Sequence, residues 1–163
     1  MLQEPRTPEQ AYRAVQSVWF ALLASMGSYA VVGWVLARAV GPLEPDPTSP
    51  VRLVLQAAGL GTAVVAVVLG RLLLQPERLA ASAAGTRSPY QQILGQHVIV
   101  YAVAETPAML GLVLYLVGGS PVDLAVFVAL GALALALVYP RRAAWDALVA
   151  ALGRRRPDQP HTR

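Results

Sequence analysis

The stretch Tyr101-Ala-Val-Ala-Glu-Thr-Pro-Ala-Met-Leu-Gly-Leu-Val113 decides the fold, because it places one carboxyl group inside a long uncharged run. Glu105 is the only charged residue between Ser88 and Gly119. A helix of about 20 predominantly apolar residues crosses a bilayer, so this run predicts a membrane-spanning helix. An ionisable side chain near the bilayer centre costs roughly 3 kcal/mol on insertion scales, so its presence there indicates a functional site.

Three further blocks of the chain contain no charged residue, at 14–37, 53–70 and 124–140. Apolar residues make up 56% of the 163 residues and charged residues only 13%, which is about half the usual share in soluble proteins. We therefore predict an all-α integral membrane protein, a four-helix bundle with spans at about 14–40, 51–74, 96–118 and 121–140. One domain covers 1–156, and the tail at 157–163 is predicted to be disordered.

Four hydroxyl–proline pairs predict where helices begin, because a capping hydroxyl followed by proline at the first helical position is typical of helix starts. These pairs are Thr7-Pro8, Ser49-Pro50, Ser88-Pro89 and Ser120-Pro121. Glutamine three residues after the first and third hydroxyls predicts two capping boxes, and Asp123 suits the positive end of the fourth helix. Pro140 predicts a stop or a kink at the end of that helix.

The distribution of arginine predicts the orientation. All 13 basic residues are arginine, and 11 of them lie in the N-terminal segment, the connection after the second span and the C-terminal tail. Only Arg38 and Arg52 lie on the other side. Cytoplasmic segments of membrane proteins carry the excess of positive charge, so both termini are predicted to be cytoplasmic. We expect the membrane to be a bacterial cytoplasmic (inner) membrane.

The segment 141–153 predicts a short interfacial helix. Its apolar face lies between two groups of arginine, an arrangement typical of helices that lie on anionic lipid. The residues expected to contact lipid head groups are Arg141, Arg142, Trp145, Arg154, Arg155 and Arg156. The alternative is a straight continuation of the fourth helix into solvent.

Small residues at helical spacing predict the faces along which the helices pack. In lipid, close backbone approach along small side chains holds helices together. On the second span these residues are Ala58, Thr62, Ala66 and Gly70, with Gly59 and Gly61 beside them. Tight packing accounts for this stripe without a ligand.

His97, Tyr101 and Glu105 are spaced i, i+4, i+8 and therefore share one face of the third span. His97 has two interpretations: an interfacial side chain that faces head groups, or a group that passes protons toward Glu105. One histidine without nearby cysteine or aspartate predicts no transition-metal site.

The surroundings of Glu105 predict a site for a proton or a hard cation. Thr106 supplies a hydroxyl, and Pro107 leaves the carbonyl of Val103 without its helical donor. Tyr101 lies on the same face. By depth, the candidate partners on other helices are Thr62, Ser28 and Tyr29. Two structural alternatives stand beside ion binding: a protonated Glu105 that bonds to a neighbouring helix, and a Glu105 clamped by an arginine of a partner protein.

Other functional classes are poorly supported by the composition. The net charge of +4 comes from arginines at the ends of spans, so nucleic-acid binding is not expected. The absence of cysteine removes thiolate catalysis and cysteine-based metal sites. We find no catalytic triad, metal cluster or phosphate loop, and expect no enzyme activity and no cofactor.

The middle of the chain resembles the proteolipid ring subunit (subunit c) of rotary ATP synthases and the related V-type proteolipids. The resemblance rests on Gly59-Leu-Gly61-Thr-Ala in the second span, Gln75-Pro76-Glu77 after it, and Ala104-Glu105 followed by Gly111-Leu112-Val113. It implies a helical hairpin whose second helix bears an ion-carrying carboxylate, here Glu105. In sodium-carrying members a hydroxyl residue follows the carboxylate, where Thr106 stands.

The chain departs from that family in several places. Leu74 stands where the family's loop has arginine, the stretch from Glu77 to Glu105 is longer, and the glycine repeat is partial. Two additional helices flank the matching hairpin.

Together these observations predict a small ion-handling membrane protein in which Glu105, Thr106, Tyr101 and Thr62 bind H⁺ or Na⁺. The alternative is a structural or assembly subunit of a larger membrane complex without transport of its own. In either case the lipid bilayer and further protein subunits, identical or different, are the expected partners.

Overall fold

In a computed structural model, the described residues are 7–40, 49–83, 88–118 and 120–154. This part of the chain is all-α, as predicted, and contains no strand. Its six helices are α1 (Pro8–Val40), α2 (Pro50–Leu73), α3 (Pro76–Ala83), α4 (Pro89–Leu116), α5 (Pro121–Leu137) and α6 (Arg142–Arg154).

Three of these helices, α1, α2 and α4, are long and apolar enough to cross a membrane. The pair α5 and α6 supplies up to one more span, although the two helices meet at an angle of 45°. α5 alone has 17 residues and is therefore about 26 Å long, slightly less than the thickness of a hydrocarbon core. These lengths support the predicted integral membrane location.

The predicted helix starts are confirmed, because α1, α2, α4 and α5 each begin at the proline of a hydroxyl–proline pair. The capping boxes differ from the prediction. The predicted capping box at α1 forms: the backbone N–H of Gln10 donates to Thr7 Oγ1 at 3.2 Å, and the backbone N–H of Thr7 donates to Gln10 Oε1 at 3.3 Å. Ser88 makes no side-chain cap bond, whereas Ser120 forms a complete box with Asp123. An aspartate three residues after the cap reaches back to the backbone here as a glutamine would.

The central helix is α4, which packs against α1, α2 and α5. Its apolar residues are not confined to one face, and 11 of its residues are buried, as expected for a helix that packs against several others. Contacts between α4 and its neighbours show the relative directions of the helices. Gly70, late in α2, lies beside Val100, early in α4. Gly33, late in α1, lies near Tyr115, late in α4. α1 and α4 therefore run in the same direction, and α2 runs in the opposite direction.

The small-residue face of α2 is rotated from the predicted stripe. Its buried residues are Gly59, Ala63, Ala66 and Gly70. A side chain at Gly59 would collide with the ring of Phe127, and one at Gly70 with Val138. Ala58 and Gly61 are exposed, and no atom lies within 4 Å of a Cβ placed on Gly61. The packing role predicted for these two residues is therefore wrong within the chain, because the seam with α5 follows Gly59.

A charged cluster joins the first turns of α2 to the first turn of α5. Arg52 donates to Asp123 at 2.9 Å, and Gln56 donates to the same carboxylate at 3.2 Å. The side chains of Arg52 and Asp123 are 20% and 12% exposed. The carboxylate that caps α5 thus also anchors the start of α2.

The short helix α3 was not predicted, and it changes the interpretation of the C-terminal segment. α3 packs against α6 and buries Leu79, Ala80 and Ala83. Gln96 of α4 donates to Ser82 of α3 at 3.0 Å. Proline at its first position, glutamate in its first turn and this apolar spacing are helix signals. They stand in a segment that we interpreted as a polar connection.

The helix α6 covers nearly the same residues as the predicted interfacial helix, and its angle to α5 excludes a straight continuation of that helix. The predicted contact of Trp145 with lipid head groups is wrong. Trp145 is 4% exposed and packs against Tyr12, with ring centroids 5.5 Å apart. Arg141, Arg142 and Arg154 are all exposed, and Arg142 forms an ion pair with Glu9 at 2.8 Å. Arg155, Arg156 and the tail at 157–163 lie outside the described residues.

Candidate functional site

Glu105 lies in the interior of the helix assembly, where the residue is 8% exposed. It is residue 17 of α4, about 24 Å along the axis from Pro89 and about 16 Å from Leu116. Two hydroxyls from α1 donate to its Oε1 atom: Ser25 Oγ at 2.7 Å and Tyr29 Oη at 2.8 Å. The candidate site is therefore formed between α1 and α4.

The spacing of Ser25 and Tyr29 explains how α1 delivers both hydroxyls. Residues four apart lie one above the other on a helix face, and the two hydroxyl oxygens are 3.1 Å apart. Because α1 and α4 run in the same direction, the middle of α1 lies beside the middle of α4. Three oxygens from three side chains thus form a triangle with edges of 2.7, 2.8 and 3.1 Å.

The hydrogen bonds leave one carboxyl oxygen available. Both donors bond to Oε1, and Oε2 accepts no hydrogen bond from the part of the chain that the structure describes. Buried polar groups are normally hydrogen-bonded, and bonds to an ionised acceptor are about twice as strong as neutral ones. The two hydroxyls therefore compensate part of the desolvation of Oε1, while Oε2 is free to hold a proton or to bind a cation.

Near the site, the backbone of α4 contains a proline and is contacted closely by α5. Pro107 is buried inside the helix and has no N–H for the carbonyl of Val103. Gly131 of α5 lies so near this turn that a Cβ on it would be 3.2 Å from the carbonyl oxygen of Ala104. A side chain at Gly131 would therefore be crowded against the backbone of the turn that carries Glu105, and glycine allows this close approach of α5.

None of the other three residues predicted for the site forms a hydrogen bond with Glu105. Thr106 Oγ1 donates to the carbonyl of Ala102 at 3.0 Å, and Thr62 Oγ1 donates to the carbonyl of Gly59 at 3.0 Å, both within their own helices. Tyr101 is fully buried, and its hydroxyl has no partner among the described residues. Its ring packs on His97, with centroids 5.8 Å apart, as expected for a helical side chain that points toward the N-terminus.

Ser25 was missing from the predicted site, and Tyr29 was present only as a candidate by depth. Ser28, the other candidate on α1, donates to the carbonyl of Ser25 at 2.6 Å. The signal that distinguishes Ser25 from Ser28 is the spacing, because only Ser25 lies one turn from Tyr29 on the same face.

His97 does not face lipid head groups. It is 4% exposed, and its Nδ1 atom lies 2.9 Å from the carbonyl oxygen of Ile93. That geometry assigns the proton of the neutral ring to Nδ1 and leaves Nε2 as an acceptor. The aromatic ring of Trp145 lies 6.4 Å away, centroid to centroid.

Comparison with protein-family models, curated proteins and solved structures finds no match to this chain. Across residues 7–40, 49–83, 88–118 and 120–154, no group of three histidine, cysteine, aspartate or glutamate side chains is placed to hold a metal ion.

Proposed function

We propose that this chain is a small integral membrane protein whose Glu105 carboxyl reversibly binds a monovalent cation, H⁺ or Na⁺. The observation that supports the proposal is the pair of hydroxyls on one oxygen of a buried carboxyl group, with the other oxygen unbonded. Intramembrane carboxyl groups that face the interior of a bundle are typical of ion pathways and proton relays.

The ligand set favours a proton. Both hydroxyl hydrogens are donated to Oε1, at 2.7 and 2.8 Å, so Oε2 can take up a proton without breaking either hydrogen bond. Sodium would need the Ser25 and Tyr29 hydroxyls to turn their lone pairs toward the ion. We therefore propose H⁺ as the first ligand and Na⁺ as the second.

In the proposed arrangement, α1, α2, α4 and the α5–α6 pair form a four-helix membrane bundle with both termini in the cytoplasm. The proposed membrane is the bacterial inner membrane. The arginine distribution supports this orientation. So do the helix directions, because Tyr12 near the start of α1 donates to the carbonyl of Pro140 after α5. The arginine-rich ends therefore meet at one end of the assembly.

The resemblance to proteolipid subunits would make Glu105 an ion carrier within a larger assembly. The ligands of Glu105 nevertheless come from α1, which lies outside the region of resemblance. We therefore propose cation binding by the α1–α4 pair and leave a rotor-like assembly as a further hypothesis. Oligomerisation with copies of itself or with other subunits belongs to the same proposal.

A structural or assembly subunit without transport is the second candidate, and one observation favours it. Gly61 and Ala58 form an exposed small-residue surface on α2, and small residues are enriched where membrane helices meet. In that case Glu105 serves as an internal tie between α1 and α4.

The test is labelling by a hydrophobic carbodiimide, which reacts with protonated carboxyl groups in membranes. We expect modification at Glu105, declining as the pH becomes alkaline, with Glu105→Gln as the unreactive control. Protection by sodium would identify Na⁺ as a ligand, and insensitivity to sodium would leave H⁺. If Glu105 in native membranes resists modification at every pH at which the protein stays folded, the cation-binding proposal fails.

A further inference from the structure

A second site lies at the arginine-rich end of the helices, away from Glu105. A cavity of about 330 Å³ opens there between the end of α2, α3, α4 and the α5–α6 connection. Its volume is in the range of small-molecule sites, which are mostly apolar with a few polar groups. The apolar part of its wall includes Val67, Leu74, Leu79, Leu137 and Leu148.

The charged residues that line this cavity are all positive. Arg71 and Arg141 line it and are exposed, and neither forms an ion pair with any residue that the structure describes. None of the described lining residues is acidic. The neighbouring Arg142, by contrast, is occupied by Glu9 and Asp146. Two guanidinium groups that have no acidic partner among the described residues, beside an apolar wall, match a ligand with an anionic head and a hydrocarbon chain.

The inner wall adds two polar groups. His97 lines the cavity, and its ring presents Nε2 as an acceptor because Nδ1 bonds to Ile93. Trp145 also lines the cavity, and its buried indole N–H has no hydrogen-bond partner among the described residues. A buried donor without a partner is uncommon in folded proteins. The wall therefore contains an indole donor that no described residue uses.

We propose that this cavity binds one anionic phospholipid, with the phosphate between Arg71 and Arg141 and an acyl chain along the apolar wall. Guanidinium groups bind phosphate by paired, charge-assisted hydrogen bonds. Val67 lies one turn of α2 before Arg71, on the side of the span, so the apolar wall continues from this arginine toward the hydrocarbon region. This site is independent of the cation proposed at Glu105.

Native mass spectrometry of the detergent-purified protein with phosphatidylglycerol tests the proposal. We expect one lipid molecule to be retained more tightly than phosphatidylcholine. Arg71→Gln with Arg141→Gln should weaken that binding about thirtyfold, since each arginine near an anionic lipid contributes about fivefold. The matched control is Arg38→Gln with Arg78→Gln, which removes the same charge from arginines outside the cavity and should leave binding unchanged.

A second variant separates the cavity from surface charge. Ala144 is an exposed residue of α6 that lines the cavity, so Ala144→Phe should fill the space without altering the charge and should also prevent retention of the lipid. The proposal is overturned if Ala144→Phe retains the lipid, if the two double variants behave alike, or if phosphatidylcholine is held as tightly. Binding of inorganic phosphate alone with the same affinity would overturn the lipid assignment. Glu105→Gln should retain the lipid.

Discussion

Replacing Ser25 by Ala and Tyr29 by Phe together should lower the free energy of unfolding by about 2 kcal/mol, since it removes both hydrogen bonds to a buried carboxyl group. The loss should shrink to a few tenths of a kcal/mol when Glu105 is replaced by Leu, because the acceptor is then absent. Reversible unfolding in mixed micelles, followed for the four variants of this double-mutant cycle, measures the coupling.

Ser28→Ala is the matched control for that cycle. It removes a hydroxyl from the same turn of α1, but one that bonds to the carbonyl of Ser25 and not to Glu105. Its effect should be small and equal in both backgrounds. An equal loss from the Ser25 and Tyr29 replacements with and without Glu105 would contradict the site, since the hydroxyls would then stabilise α1 by themselves.

A second large effect is expected at the seam between α2 and α5. Gly59→Val should destabilise the protein by about 1 to 3 kcal/mol, because the added side chain meets the ring of Phe127. Phe127 also lies against Gly111 of α4, so it has little room to move away. The measurement is the free energy of unfolding in the same micelles.

Gly61→Val is the control, two residues along the same helix and with the same change in helix propensity. Open space surrounds its Cβ position, so the stability of the single chain should change little. If an exposed surface of α2 binds another subunit, Gly61→Val should instead reduce the size of the purified particle. Similar destabilisation by both valines would contradict the packing of α2 against α5 through Gly59.

Much of the helical architecture could be predicted from the sequence, because the determining signals are local. A hydroxyl before proline defines a helix start within two residues, and all four such starts agree with the structure. The depth of Glu105 followed from counting residues along one apolar run. α3 shows the limit of this reasoning. Its helix signals stand in a short segment of low hydropathy, and its packing against α6 is a tertiary contact that the sequence does not show.

The composition of the site could be predicted only in part, because it depends on how two helices face each other. Glu105 was evident as a buried charge. Its ligands were expected from neighbours in sequence and from α2, yet the hydroxyl of Thr106 turns back onto its own helix. Threonine in a helix commonly bonds to the carbonyl four residues earlier, so adjacency to a carboxyl group is a weak signal. The rotation of α1 that brings Ser25 to Glu105 is a tertiary property, set by packing along the whole length of both helices.

The error in the predicted environment of Trp145 also arises from tertiary packing. An apolar helix face between arginines can pack against lipid or against protein. In this chain the apolar face of α6 packs against α3, and Trp145 contacts Tyr12. The same packing pairs Arg142 with Glu9 and Asp146, whereas Arg141 forms no ion pair within the described part of the chain. The phospholipid site proposed above depends on that difference.

The central claim is that the Glu105 carboxyl takes up and releases a cation inside the membrane, and infrared difference spectroscopy tests it most directly. Spectra of the reconstituted protein at acidic and alkaline pH should differ by a carboxyl C=O band that is absent from Glu105→Gln and shifted in Tyr29→Phe. A sodium-dependent loss of that band would identify Na⁺ as the competing ligand. A wild-type spectrum with no Glu105 carboxyl band that responds to pH or to sodium, in a folded protein, would contradict the claim.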